Sequence, residues 1–390
     1  MWISSNLLNK SYKFLPLTIL VLAVLLGSCQ DQIPSNSQKI DPPPSLTGFP
    51  SPTPQSTTRG TEPTAAAIEE PTFTSASSPA ESQPTAEHTP TAAATNEPSA
   101  TPDIYAQFSI EALSGRDYGG GQLEIVDTLE ENDSFTRYLV TYPSDGLTVF
   151  GFMNVPNEGT NFPVAILVHG YIPPSEYQTI AYTTRYADNL ARAGYFVLHP
   201  NLRNHRPSDQ GPDQFRTGYA VDILNLIEVV KEQSQDPRGY FRRADTDDIN
   251  LWGHSMGGGI VLRTITVNND PTIRTAVLYG SMSGDEALNF ERILFWSDGA
   301  EGEFELGAPS EALEAISPIY HLDRISASIS IHHSDSDEQV PAEWSADLCQ
   351  RLQAIEHPTE CFTYLGLPHT FRGQGDVLFM ERVIEFFNRH

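Results

Sequence analysis

The chain has 390 residues and a formal net charge of −27. A surface this acidic excludes nucleic acid as a partner, because it repels a polyanion, and it favours solubility. The length leaves room for one substantial core once the two polar or apolar extremes near the N-terminus are set aside.

Residues 1–28 read as an export leader. Lys10 and Lys13 give a positive start, and Phe14 to Leu26 is an apolar run broken by one proline, short for a membrane span. The run ends Leu26-Gly27-Ser28-Cys29, which resembles the bacterial lipobox, in which the cysteine receives a lipid and becomes the new N-terminus. The resemblance implies lipidation at Cys29, membrane attachment and an extracytoplasmic location. Residues 29–103 are Pro, Thr, Ser and Ala with scattered Glu, as in Pro50-Ser51-Pro52-Thr53-Pro54. Too few apolar residues are present for a core, so this linker is expected to be disordered, with its ends about 50 Å apart. Residues 104–390 are expected to form one domain, which carries most of the acidic excess. With Cys29 lipidated, Cys349 and Cys361 remain as a pair in an oxidising compartment, and a disulfide between them is expected.

Within the domain, residues 122–126, 134–142 and 147–154 read as three strands. The last two are joined by Ser144-Asp145-Gly146, a hairpin signal. Residues 162–168 form a continuous apolar run that suits a central strand covered on both faces. From there strand and helix alternate. Strands are expected at 195–199, 249–252, 275–279, 328–332 and 360–365. Helices are expected at 182–193, 218–233, 257–267, 341–354 and 375–388. Residues 283–316 read as an irregular segment. The pattern is that of an open, mostly parallel α/β sheet with an antiparallel start and helices on both faces. In such sheets a ligand binds at the carboxyl ends of the strands.

At one such end stands Gly253-His254-Ser255-Met256-Gly257, a G-x-S-x-G turn from strand into helix. The turn strains the serine backbone, admits only glycine on either side, and lifts the Ser255 hydroxyl clear of the sheet. The Met256 amide, at a helix N-terminus, points to the same spot and suits a developing oxyanion. Such a serine needs a base and an acid. The loop after the strand at 328–332 offers Asp335 and Asp337, of which Asp337, four residues before Pro341, is the preferred acid. His369, on the loop after the last strand, is the preferred base. His254 adjoins the serine but diverges from it, and reads as packing beneath the turn. In His169-Gly170-Tyr171 the Tyr171 amide is the second oxyanion donor. Arg203, on a loop at the same edge, is a candidate for a substrate carboxylate or for pairing with local acids. Phe290, Phe295 and Trp296 are candidates for an apolar substrate pocket or for anchoring their own segment. No cofactor or metal is expected, since the histidines show no H-E-x-x-H or other ligand spacing.

Gly253-His254-Ser255-Met256-Gly257-Gly258, Ser317-Pro318, Asp337-Glu338-Gln339-Val340-Pro341 and His369-Thr370-Phe371 together resemble the catalytic domain of the prolyl oligopeptidase family, within the α/β-hydrolases. The similarity spans residues 120–390. It implies an α/β-hydrolase fold, a Ser255–Asp337–His369 triad and an acyl-enzyme route for a short peptide or a small ester. Two departures bear on the substrate. The β-propeller of those peptidases has no counterpart before the domain, and His169 stands where they often carry a tyrosine. A His-Gly opening is more similar to dienelactone hydrolases, bacterial esterases and cutinase-like polyester hydrolases. A binding lipoprotein that keeps the fold without catalysis is the expectation from another class.

Overall fold

The computed structural model describes residues 103–268 and 270–390. The leader 1–28, the lipidation at Cys29 and the linker up to residue 102 lie outside the described residues. A short helix, α1 (Ile110–Ser114), opens the domain, with the Ser109 hydroxyl accepting from the Ala112 amide at 3.1 Å. Strands β1 (Glu124–Glu131), β2 (Phe135–Ser144) and β3 (Leu147–Pro156) then run antiparallel. Parallel strands follow: β4 (Phe162–Val168), β5 (Phe196–Pro200), β6 (Ala244–His254), β7 (Ile273–Tyr279), β8 (Ser328–Ser334) and β9 (Thr359–Tyr364). All belong to one sheet in the order β1-β2-β3-β5-β4-β6-β7-β8-β9. The order reverses at β4, so the carboxyl ends of β4 and β6 flank the crevice that such a reversal creates.

The apolar run of β4 is explained by two cores. Val164, Ile166 and Val168 point into one, where helices α3 (Thr217–Ser234), α4 (Met256–Val267) and α8 (Ala342–Ala354) pack. Ala165 and Leu167 point into the other, against α2 (Thr184–Arg192) and α9 (Gly373–Arg389). With both faces covered, no position on the strand is left for a polar residue. Each buried aliphatic side chain contributes about 1.5–3 kcal/mol. Cys349 of α8 and Cys361 of β9 are joined by a disulfide at the edge of the sheet.

Several elements differ from the sequence expectation: α1 has no counterpart in it, β6 begins at Ala244 rather than 249, and two further differences have a clear cause. Strand β1 runs to Glu131, well past residue 126, although Val126 and Leu129 are exposed. Its register against β2 slips between Ile125 and Asp127 and again between Thr128 and Glu130. Each irregularity breaks the two-residue alternation by which a strand is recognised. Residues 283–316 are mostly helical: α5 (Glu286–Trp296), α6 (Glu303–Leu306) and α7 (Ser310–Ile316). Asp285 caps α5 by accepting from the Ala287 amide. The buried face of α5 is Glu286, Asn289 and Phe290, and its one carboxylate bonds Arg216 and Arg263 at 2.5 Å each. A helix whose inward face is polar carries no apolar period to betray it.

Candidate active site

Strand β6 ends at His254 and α4 begins at Met256, leaving Ser255 between them at φ 57°, ψ −119°. Such a backbone costs on the order of 1–3 kcal/mol and persists only where its surroundings fix it. Here the Ser255 amide donates to Tyr279 O at 2.8 Å, and Ser255 O accepts from the amides of Gly258 at 3.0 Å and Met282 at 3.1 Å. A side chain at Gly257 would put its Cβ 2.1 Å from Val168 O, so the helix can approach β4 only with glycine there.

The loop after β4 runs against the serine. A Cβ on Gly170 would lie 3.0 Å from the Ser255 Cβ and 2.7 Å from the Tyr182 hydroxyl. The Gly170 amide donates to Tyr182 Oη at 3.0 Å, which fixes the peptide immediately before Tyr171. The Tyr171 ring is exposed. His169 is buried and held between backbone carbonyls, Gly170 O at 2.7 Å from Nδ1 and Asn201 O at 2.9 Å from Nε2. Burial lowers its pKa despite those bonds. As the first residue of α4, Met256 has an amide without an intrahelical acceptor.

The loops after β8 and β9 meet above the same edge. His369 Nδ1 lies 2.7 Å from Asp337 Oδ2. The other carboxylate oxygen of Asp337 accepts from the amides of Gln339 and Val340, each at 2.9 Å. Burial works to raise the Asp337 carboxyl, but hydrogen bonds from His333 and His369 outweigh it and hold the group well below the usual carboxylate range. Asp337 is therefore an ionised acceptor. Asp335 is on the surface, where its carboxylate accepts from the Gly366 amide and ties the loop after β8 to the loop after β9. The His369 amide donates to Glu338 at 3.0 Å, and the His369 ring packs at a tilt of 40° against His254 with centroids 4.5 Å apart. The ring also packs against Gly280, the residue after Tyr279 that anchors Ser255. Its Nε2 is buried with no hydrogen-bond partner. A serine hydroxyl on this edge, with a histidine whose far nitrogen is bound to an ionised carboxylate, is an arrangement able to move a proton off the hydroxyl.

The candidate substrate residues divide. Arg203 is buried and gives Nε and Nη2 to Asp222, with Nη2 at 2.8 Å, while Nη1 donates to Pro212 O. Its guanidinium is committed to the interior, which corrects the expectation that it meets a substrate. Phe290 is also buried, 5.7 Å from the ring of Phe215 in a cluster with Ala308 and Ile316. It anchors its segment and does not line an open pocket. Phe295 and Trp296, at the end of α5, are 73% and 47% exposed. Between them lies Arg292, whose guanidinium is 5.6 Å and 4.9 Å from the two rings and donates to Gln339 O at 2.9 Å. That bond sets the aromatic pair beside the acid loop. Sequence reasoning gave no role to His333, Glu338 or Tyr182, although His333 stands at the carboxyl end of its strand and Glu338 lies in the motif from Asp337 to Pro341.

Among the described residues, no group of three or more His, Cys, Asp or Glu is placed to hold a metal ion. Residues 163–304 match the family model for the alpha/beta hydrolase fold. The chain has the α/β-hydrolase fold. Among solved structures it is similar to an acetyl xylan esterase from Thermoanaerobacterium sp., at 15% identity and a TM-score of 0.53 over 73% of this chain and 94% of that one. An acetyl xylan esterase from Paenibacillus sp. matches at 19% identity and a TM-score of 0.51 over 71% and 92% of the two chains. The acylaminoacyl peptidase of Pyrococcus horikoshii matches at 22% identity and a TM-score of 0.51, over 66% of this chain and 42% of the peptidase. The family match ends before Asp337 and His369, which are brought together by the fold's geometry.

Proposed function

We propose that this α/β-hydrolase is a serine hydrolase that cleaves a carboxylic ester or amide through an acyl-enzyme. The observation that carries the reading is the 2.7 Å contact of His369 with ionised Asp337, which leaves Nε2 unpartnered on the edge where Ser255 is held in its strained turn. In this reading Nε2 takes the Ser255 proton as the oxygen attacks a carbonyl carbon. The imidazolium is stabilised by Asp337 and then gives the proton to the leaving alcohol or amine. The amides of Tyr171 and Met256 receive the oxyanion, each worth on the order of 3 kcal/mol. Water, deprotonated by the same histidine, releases the acid.

Ester cleavage is the reading favoured within this class. The chain matches nearly the whole of two acetyl xylan esterases but under half of the peptidase. The exposed Phe295 and Trp296 suit an apolar or planar acyl or alcohol group. Peptide cleavage is the second reading, supported by the residues at 253–258 and 337–341 that resemble the prolyl oligopeptidases. The leader and Cys29 support export and lipid anchoring, for which the Pro- and Thr-rich linker would be the tether.

A fluorophosphonate probe tests the nucleophile: the protein should label, and Ser255→Ala should not. Labelling that survives the substitution would sink the assignment. A panel of nitrophenyl esters against peptidyl anilides then separates ester from amide.

A further inference from the structure

We propose that His333 is a positioning residue for the Asp337–His369 pair, a second histidine that donates to the acid and moderates how much of its charge reaches the first. The proposal rests on the serine hydrolase reading. Asp337 Oδ2 receives His369 Nδ1 at 2.7 Å and His333 Nε2 at 3.1 Å, while Oδ1 receives two backbone amides. Four donors saturate the lone-pair sites of one carboxylate.

The proton on His333 is located by its neighbours. Nε2 faces two acceptors, Asp337 Oδ2 and Val340 O, each at 3.1 Å, so it carries the hydrogen. Nδ1 lies 2.6 Å from the hydroxyl of Ser345 on α8, which can donate to it. His333 is thus a buried donor through Nε2, with its other nitrogen held by the helix behind it. It sits at the end of β8, four residues before Asp337, so strand, acid loop and α8 are fastened around one carboxylate.

Two consequences follow. A carboxylate with four donors cannot rotate away from His369, and its orientation is fixed before substrate arrives. The Oδ2 lone pairs are also shared, so His369 feels less negative charge than a lone aspartate would supply. Removing the second donor should both loosen the acid and strengthen its pull on the imidazolium. Besides His333, the titratable groups against the pair are Glu338 on the acid loop and His254 on β6, and Arg185 on α2 acts in turn on His254.

The test compares His333→Leu with His333→Gln, whose amide can still donate. His333→Leu should lower kcat on the order of tenfold with KM little changed. The acid limb of its kcat/KM profile should move up by about half to one pH unit. His333→Gln should restore both. A purely structural role would lower the melting temperature without moving the limb. A folded His333→Leu with an unshifted limb and unchanged kcat overturns the proposal. The far-downfield NMR resonance of the His369 Nδ1 proton provides a readout that needs no turnover. It should shift in His333→Leu and return toward its original position in His333→Gln, and an unmoved resonance would likewise overturn the role. Failure of the wild type to label with a fluorophosphonate would instead strike the hydrolase reading and leave the resonance to decide on His333.

Discussion

Tyr182 Oη lies 2.6 Å from His254 Nδ1, and that bond ties the loop of Gly170 to the loop of His369. Gly170 N donates to Tyr182 Oη, and His254 Nε2 lies 3.2 Å from His369 O. Only one arrangement of protons serves all three contacts. A carbonyl can only accept, so His254 Nε2 donates; Nδ1 then accepts, and the tyrosine hydroxyl donates to it. Burial, then the neighbouring His369, lowers the His254 pKa well below the usual range, which keeps the ring neutral as this arrangement requires. His254 is more than packing beneath the turn.

The expected result of Tyr182→Phe follows from that relay. The Gly170 amide loses its acceptor at a cost of about 1–3 kcal/mol. The peptide that aims the Tyr171 amide is then no longer held. We expect kcat to fall about 10- to 100-fold with KM little changed, since an oxyanion contact is made chiefly in the transition state. Steady-state kinetics on a nitrophenyl ester would check this, and an unaltered kcat would detach the relay from the oxyanion loop.

How far the molecule could be read from its residues depended on whether a feature has a period or a partner. The run at 162–168 is legible because both faces of β4 are covered, so apolar residues are continuous. Helix α5 is not, because Glu286 and Asn289 occupy its buried face, and the arginine partners of Glu286, Arg216 and Arg263, are far away in sequence. Ser255 is marked by its glycines, and Asp337 and His369 by following the right strands. Arg203 was open to a substrate reading because its partner, Asp222, lies 19 residues on and one element later. His333 meets Asp337 only four residues on, but across a loop with no period, and Tyr182 bonds residues 12 and 72 positions away, so neither leaves a pattern.

Stability should fall steeply on mild acidification. Burial lowers the pKa of His169 and His254, and takes His205 to about 4 and His199 and His332 to about 3. Unfolded histidine titrates near 6.5. A depressed folded pKa means that the unfolded chain binds the proton first. The stabilisation is therefore complete above about pH 6.5 and is lost as pH falls toward the folded values. Each such proton is worth about 1.4 kcal/mol per pH unit below that point. Burial lowers His357 as well, and Asp222, whose carboxyl burial raises, contributes with opposite sign, one group against six. Urea unfolding at pH 7.5, 6 and 5 should show several kcal/mol lost, and His332→Gln should flatten the slope by about one proton. A stability independent of pH over this range would contradict the buried, neutral histidines.

The Arg203–Asp222 pair gives the sharpest separation of folding from binding. Asp222 on α3 is fully buried; besides the Arg203 side chain it accepts from the Arg203 amide at 2.7 Å and from Ser144 Oγ at 2.6 Å. Arg203→Ala would leave this carboxylate buried without its counter-charge, at a cost of about 3–5 kcal/mol. The double replacement Arg203→Met, Asp222→Leu removes both charges and should cost much less, because no buried charge is left alone. Neither variant should change KM for an ester bearing a free carboxylate, measured at a temperature where the protein stays folded. An Arg203→Ala protein that melts like the wild type but binds such an ester more weakly would return the guanidinium to the substrate and withdraw its structural role.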